Sequence, residues 1–531
     1  MRESDQRDSG QPLGTESETT NTPSEAQPVG SAPATRSERR AAEREAAAQR
    51  GGRRDAPAVL SGVMAAIRKH PKAWMIAGAA AVFVVLGVGS VSLGATLGPA
   101  PVADGTVDEA TADVEKTPTA DPARPVPAAQ PAAARLRTCS VASLAQDKRL
   151  GNLEAQVVNA KTGEVLFDRN GSKPAPTASV LKTLTAAAAL ATLGPDHRVQ
   201  TTVLAGSVPG QIVLVGGGDV TLSRLPGGRG AFYTGAPSIQ DLAAQTQQAL
   251  GGQPVTSIVV DTSLFGGPVW QPSWDEHEER VVEGSTPYMT ALMVDGDRDN
   301  PAVVESPRST DPIGRAVRYF QEYLGTDAPV SSGTAPAGAQ QLAAVQSQPV
   351  TALIEQAMKY SDNTIMEELA RLVAIKTGAG NTFNAENAGV LAGLKSYGID
   401  TAGIHIADGS GLSANNAVPP SYLTRLFVKV LSREKGLGVV YDGLPISGQT
   451  GTLGPSYNRF TGSSSAARGA VHAKTGWIDN GYTLSGVVDS ADGVPLTFAV
   501  FALGPVSANA KQAIDALVTG FYRCGDNLSN S

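Results

Sequence analysis

Cysteine is nearly absent: the 531 residues contain two, Cys139 and Cys524, too distant from one another to build a metal site alone. The stretch Trp274-Asp275-Glu276-His277-Glu278-Glu279 sets carboxylates around a histidine, but side chains at successive positions point in different directions. It reads as a solvated acidic loop rather than a metal centre. Positive charge is also short, with 43 Lys and Arg against 50 Asp and Glu and a net charge of −7. Residues 1–72 hold 12 basic and 10 acidic side chains, which leaves −9 on the remainder. An acidic bulk excludes nucleic acid as a partner. Gly216-Gly217-Gly218 before Asp219 lacks the spacing and the Lys-Ser/Thr of a phosphate loop, so it reads as a structural turn. No pattern implies a cofactor, and no metal site is expected.

Charge is missing altogether from residues 73–97, AWMIAGAAAVFVVLGVGSVSLGATL, a run long enough at helical rise to cross a bilayer. Arg68, Lys69 and Lys72 precede it, and no Lys or Arg comes after it until Lys116. The positive-inside rule therefore predicts a single-pass cell-membrane protein, with a cytoplasmic N-terminus and the folded bulk outside. Translation from Met64 would instead give a basic leader, an apolar run and the small-residue stretch 98–103, which is a cleavable signal and a secreted protein. Both versions export the chain beyond about residue 100. Residues 1–72 form a polar cytoplasmic tail expected to be disordered; its arginine-rich part, 37–54, reads as a helix against anionic lipid or as a solvated tail. Residues 98–138 read as a Pro/Ala-rich linker. Disulfides persist outside the cytoplasm, so a bond between Cys139 and Cys524 is expected to tie together the ends of the folded part; two free thiols are the alternative.

Within that part, Ser179-Val180-Leu181-Lys182 runs into an Ala/Leu-rich helix that starts near Pro176 and Thr177 and stops at Gly194-Pro195. Residues i and i+3 share a helix face, so Lys182 can reach the Ser179 hydroxyl and, when neutral, take its proton. Read alone, the four residues are a capping serine and a solvated lysine, and Ser432-Arg433-Glu434-Lys435 repeats the spacing. Strands are expected at 153–158, 164–167, 199–204, 211–215, 257–261, near 342–350, and at 482–489 and 498–503. Helices are expected at 238–250, 312–324, 421–431 and 511–522. The section 198–340 reads as a domain inserted into a main one made of 139–197 and 341–526.

A long helical pattern from Thr351 to Gly378 breaks at Tyr360-Ser361-Asp362-Asn363. A hydroxyl and an amide at such a break suit a cleft, where one passes a proton and the other holds a carbonyl, although a plain capping turn reads the same way. Lys-Thr-Gly occurs three times. Lys161 falls in a hairpin turn and Lys376 at a helix end, while Lys474-Thr475-Gly476-Trp477 lies on a strand whose glycine lets a ligand backbone approach.

The order Ser179-Val180-Leu181-Lys182, Ser361-Asp362-Asn363, Lys474-Thr475-Gly476 resembles the three-motif set of penicillin-binding proteins and serine β-lactamases. The long section between the first two motifs, and the phrases GGGDVTL, DTSLFGG, ALMVDG, DGSGLSANNAVPP and LPISGQTGTL, narrow the likeness. Residues 150–522 are similar to the class C low-molecular-mass penicillin-binding proteins, the D-alanyl-D-alanine carboxypeptidase/endopeptidase family. The resemblance implies an α/β (α+β) penicillin-binding/β-lactamase-like transpeptidase fold with an inserted, mainly β domain. It further implies Ser179 as nucleophile, Lys182 as general base and Ser361 as proton relay. Asn363 would hold the substrate amide, Lys474 and Thr475 its terminal carboxylate, Gly476 would let the substrate backbone approach, and the N–H groups of Ser179 and Trp477 would hold the oxyanion. Peptidoglycan stem peptides are the implied substrate and β-lactams the implied inhibitors. Val220 stands where the family often has proline, and residues 454–458 are additional. Membrane attachment is not a general family property. A serine β-lactamase and a non-catalytic cell-wall scaffold are the competing readings.

Overall fold

The computed structural model describes residues 136–530. The tail 1–72, the apolar run 73–97 and the linker up to residue 135 lie outside the described residues. Among the described residues, no helix is long and apolar enough to cross a membrane.

The two ends of the folded chain share one antiparallel sheet. The hairpin β2 (Asn152–Asn159) and β3 (Val165–Arg169) pairs with β11 (Pro495–Leu503), beyond which lie β10 (Gly481–Asp489) and β9 (Val471–Ile478), in the order β3-β2-β11-β10-β9. Asn480-Gly481 predicts the β9–β10 turn one residue late: Gly481 pairs with Ile478, so the loop is Asp479-Asn480. Both faces of the sheet are covered, so β10 and β11 are buried along nearly their whole length, and β11 reads as a nearly continuous apolar run. The strand period of two still sorts them. Leu496, Phe498, Val500 and Ala502 pack with the helix Ala510–Cys524, whereas Ala499 and Phe501 join the core of the helices Lys182–Thr192 and Pro420–Leu431. In the helix Lys182–Thr192, nine of eleven residues are buried, and its small alanines let the helices Asn363–Lys376 and Phe383–Leu394 pack close to it.

The short strands β1 (Cys139–Ser140) and β12 (Leu528–Ser529) pair in parallel, and Cys139 is disulfide-bonded to Cys524 with Cα atoms 5.4 Å apart. The bond closes a loop of 385 residues in sequence, which restricts the unfolded chain. Replacing both cysteines by serine is expected to remove roughly 2–5 kcal/mol of stability, read as a lower melting temperature under non-reducing conditions.

The section between the first two motifs forms a second sheet of β7 (Val330–Ser332), β6 (Ser257–Asp261), β5 (Gln211–Val215), β4 (Gln200–Ala205) and β8 (Gln341–Gln346), neighbouring one another in that order. Two expectations are corrected by this arrangement. The section is α/β rather than mainly β, because the helices Ile239–Leu250 and Pro312–Leu324 bury Leu242, Ala243, Val317 and Phe320 in the same core as Ile212 and Ile258. The strand predicted near 342–350 also pairs with β4, which joins residues 341–346 to the inserted sheet rather than to the main one. A lone apolar strand carries no mark of its partner, so its sequence did not reveal this pairing.

Candidate active site

Thr177 leads into a 3-10 turn, Ala178–Leu181, and the α-helix begins only at Lys182. The serine thus sits one turn before the helix proper. In a 3-10 turn side chains at i and i+3 eclipse, which places Lys182 directly over Ser179. Ala178 adopts a left-handed φ of 47°, and the Thr483 hydroxyl anchors the preceding Thr177 carbonyl at 2.7 Å. The turn is clamped from the other side by Gly411: a Cβ there would lie 2.0 Å from the Ala178 carbonyl oxygen, and its φ is +85°.

Lys182 is fully buried while Ser179 is partly exposed in the cleft. The Lys182 Nζ donates to Ser179 Oγ at 2.8 Å, Asn363 Oδ1 at 2.7 Å and the Ser410 carbonyl at 2.7 Å. Burial pushes its pKa down to about 8, against the opposing pull of Asp408, Glu367 and Asp362. An ammonium has three hydrogens for these three acceptors. A neutral amine keeps two hydrogens, which the carbonyl oxygens of Asn363 and Ser410 require, and turns its lone pair toward the one partner with a proton to give, Ser179. The geometry therefore sets the direction of proton transfer.

The second and third motifs meet beside the first. Lys474, also fully buried, donates to Ser361 Oγ at 2.8 Å and to the Thr475 carbonyl at 2.9 Å. Burial, and then the positive charge of Lys182, hold it well below the usual lysine range. Ser361 caps the helix Val350–Tyr360 with φ +61°, and Asp362 caps the helix Asn363–Lys376 by accepting the Ile365 N–H at 2.9 Å. The turn is thus both a cap and a cleft wall. On β9, Gly476 lies against the nucleophile turn: a Cβ there would come within 2.2 Å of Thr483 Oγ1 and 2.9 Å of Ser179 N. Thr475 Oγ1 lies 2.7 Å from Thr452 Oγ1.

A cleft of about 790 Å³ joins Ser179, Ser361, Asn363, Thr475, Gly476 and Trp477. All eight residues predicted for the site are brought together, the two lysines buried behind its wall. Several supports were missed. Ser410 supplies the third acceptor for Lys182, and Glu367 accepts the Gly409 and Ser410 N–H groups at 3.0 and 2.7 Å. Asp408 accepts from Gly411, Ser413 and Asn416, and from the Trp274 indole at 2.8 Å. The phrase DGSGLSANN was the available signal for this loop. The acidic stretch after Trp274 is not simply solvated: Trp274 is buried, and Glu279 lines the cleft, where burial beside Glu283 pushes its pKa up to about 8. The decoy Ser432 only caps its helix, donating to the Lys429 carbonyl at 3.1 Å, and Lys435 bonds the Ser396 carbonyl.

A serine hydrogen-bonded to a buried lysine, with a second serine–lysine pair beside it at a substrate-sized cleft, is an arrangement suited to a serine hydrolase that works by acyl transfer. The sequence matches the D-Ala-D-Ala carboxypeptidase 3 (S13) family over residues 137–309 and 288–522. The chain belongs to that family. It is a low-molecular-mass penicillin-binding protein, a serine carboxypeptidase acting on peptidoglycan. It is 38% identical over 402 residues to a carboxypeptidase of Mycobacterium tuberculosis, covering 75% of this chain and 86% of the relative. It is also 38% identical to Carboxypeptidase DacB of Mycolicibacterium smegmatis over 417 residues, 77% of this chain and 88% of that one. Penicillin binding protein 4 of Haemophilus influenzae shares the fold, with a TM-score of 0.60 at 22% identity over 72% of this chain and 99% of that one.

Proposed function

We propose that Ser179 attacks the carbonyl carbon of the penultimate D-alanine in a stem peptide while Lys182 Nζ takes its proton. The observation that carries this reading is the 2.8 Å Ser179–Lys182 contact with the amine buried and its pKa at about 8. Charge developing on the carbonyl oxygen meets the N–H groups of Ser179 and Trp477. As the C–N bond breaks, the terminal D-alanine leaves as an amine that takes the Ser361 hydroxyl proton, which is replaced by the one Lys182 took from Ser179, while Lys474 donates to Ser361 Oγ and keeps its own charge. With Asn363 Oδ1 engaged by Lys182, its Nδ2 is the donor left for a substrate carbonyl. Lys474 and Thr475 hold the terminal carboxylate, and Gly476 lets the peptide approach β9. Water then cleaves the ester. β-Lactams enter the same path and stop at the acyl-enzyme. The apolar run 73–97 anchors the exported enzyme to the cell membrane, in keeping with its disulfide.

The test is to incubate the chain with defined uncrosslinked and crosslinked muropeptides and identify products by mass. Release of D-alanine supports the carboxypeptidase reading, cleavage of the crosslink adds endopeptidase activity, and no product from either defeats the proposal. Penicillin turned over within seconds would favour a β-lactamase instead.

Lys474 gives this site a pH dependence. A substrate carboxylate favours its charged form, and in the free enzyme that form is present only below a depressed pKa. Affinity for a D-Ala-D-Ala peptide, measured by calorimetry on the Ser179→Ala variant, is therefore expected to weaken as pH rises through that pKa. The limiting slope is about tenfold per pH unit.

A further inference from the structure

The inserted section grips the second motif on either side of Ser361. The Arg298 guanidinium donates to Asp362 Oδ2 at 2.7 Å, with both side chains almost fully buried. Its other nitrogens donate to the Val304 and Asp295 carbonyls at 3.0 Å each, so all parts of the fork are fixed. The guanidinium lies 4.6 Å from the Tyr233 ring centre and 4.8 Å from that of Phe232. Phe232 in turn packs edge-on against Tyr360, centroids 5.4 Å apart, and its carbonyl accepts from Gln356 at 2.9 Å. One cluster therefore grips Tyr360 and Asp362, the residues on either side of Ser361.

Ser361 needs such a grip, because its φ of +61° is a conformation that a non-glycine residue holds only when its surroundings impose it. From that conformation its hydroxyl meets Lys474, and Asn363, one residue beyond Asp362, meets Lys182. We infer that Arg298 is a positioning residue for acyl transfer: it fixes Asp362, and with Phe232 on Tyr360 it holds the Ser361 hydroxyl and the Asn363 amide at reacting geometry. The inserted section thereby completes the catalytic site rather than only covering it. This rests on the proposed roles of Ser361 and Asn363.

The experiment measures β-lactam acylation by stopped flow, separating initial affinity from the first-order acylation rate, on the full chain in detergent. Arg298→Met is expected to lower the acylation rate about 10- to 100-fold, the scale for a misplaced catalytic group, with affinity changed less than about threefold. Arg298→Lys keeps the charge beside Asp362 but loses the fork, and serves if the methionine variant does not fold; its expected loss is about fivefold in rate. If Arg298 acts through Asp362, the Arg298→Lys, Asp362→Asn double variant is no slower than the slower single variant. Multiplying losses would overturn the inference. So would a wild-type acylation rate in Arg298→Lys, or a loss confined to affinity, which would make Arg298 a substrate contact. A wild-type chain that is not acylated at all would instead refute the functional reading on which this inference rests.

Discussion

Ser179→Ala is expected to abolish the penicillin adduct seen by intact-protein mass spectrometry and to lower D-alanine release by about 10⁴-fold or more, the scale found when a nucleophile is removed from a covalent mechanism. The loss should come without unfolding. Ser179 is partly exposed and contributes one of three acceptors around Lys182; Asn363 Oδ1 and the Ser410 carbonyl remain at 2.7 Å each. Ser432→Ala is the matching control, because Ser432 stands at the head of the same spacing but bonds only its own helix. That variant should label and turn over as the wild type does. Product formation at the wild-type rate in Ser179→Ala would sink the nucleophile assignment.

The three motifs were legible through their order, which resembles the set of a known family, and through local patterns that alone also read as caps and turns. Ser179 and Lys182 are bound by i, i+3 spacing, Ser361 to Asn363 by a break between two helices, and Lys474 to Trp477 by a strand before a hairpin. The supports were not legible, because they act across the chain. Ser410 offers a backbone carbonyl, which no residue type announces. Glu367 carries a carboxylate, a group that ordinarily faces water, yet its helix is buried on every side over residues 363–374 and it accepts the Gly409 and Ser410 N–H groups. Trp274 and Arg298 belong to the inserted section, and their partners Asp408 and Asp362 lie in later loops and helix caps. The same limit governed the fold. Sequence period found the longer strands and not the short β1, β7 and β12, and pairing β8 with β4 depends on contacts between residues far apart in the chain. The role of Ala178 was hidden as well, since a left-handed alanine is imposed by the packing of Gly411 and Thr483 around it.

Lys182 permits a test that separates its chemistry from its charge. With a pKa of about 8 it is neutral in about one molecule in ten at pH 7, and acylation requires that fraction. The first-order acylation rate of wild type at saturating substrate, into which the Lys474 effect on affinity does not enter, is therefore expected to rise with pH through about 8 to a plateau, because the base gains its lone pair as the ammonium loses its proton. Lys182→Arg retains a cation beside Ser179 but cannot deprotonate at any accessible pH. If the lysine only held the serine by charge, arginine would preserve much of the rate. The expected result is instead a loss of about 10³-fold or more together with disappearance of the rising limb. Lys182→Met should lose as much activity for the same reason, although its stability can differ, since removing a buried cation offsets part of the cost of three unpaired acceptors. The two variants should then agree in acylation rate while differing in melting temperature. A rising limb that survived in either would place the titrating base elsewhere, and Lys474, also buried and 2.8 Å from Ser361 Oγ, would be the group to test next.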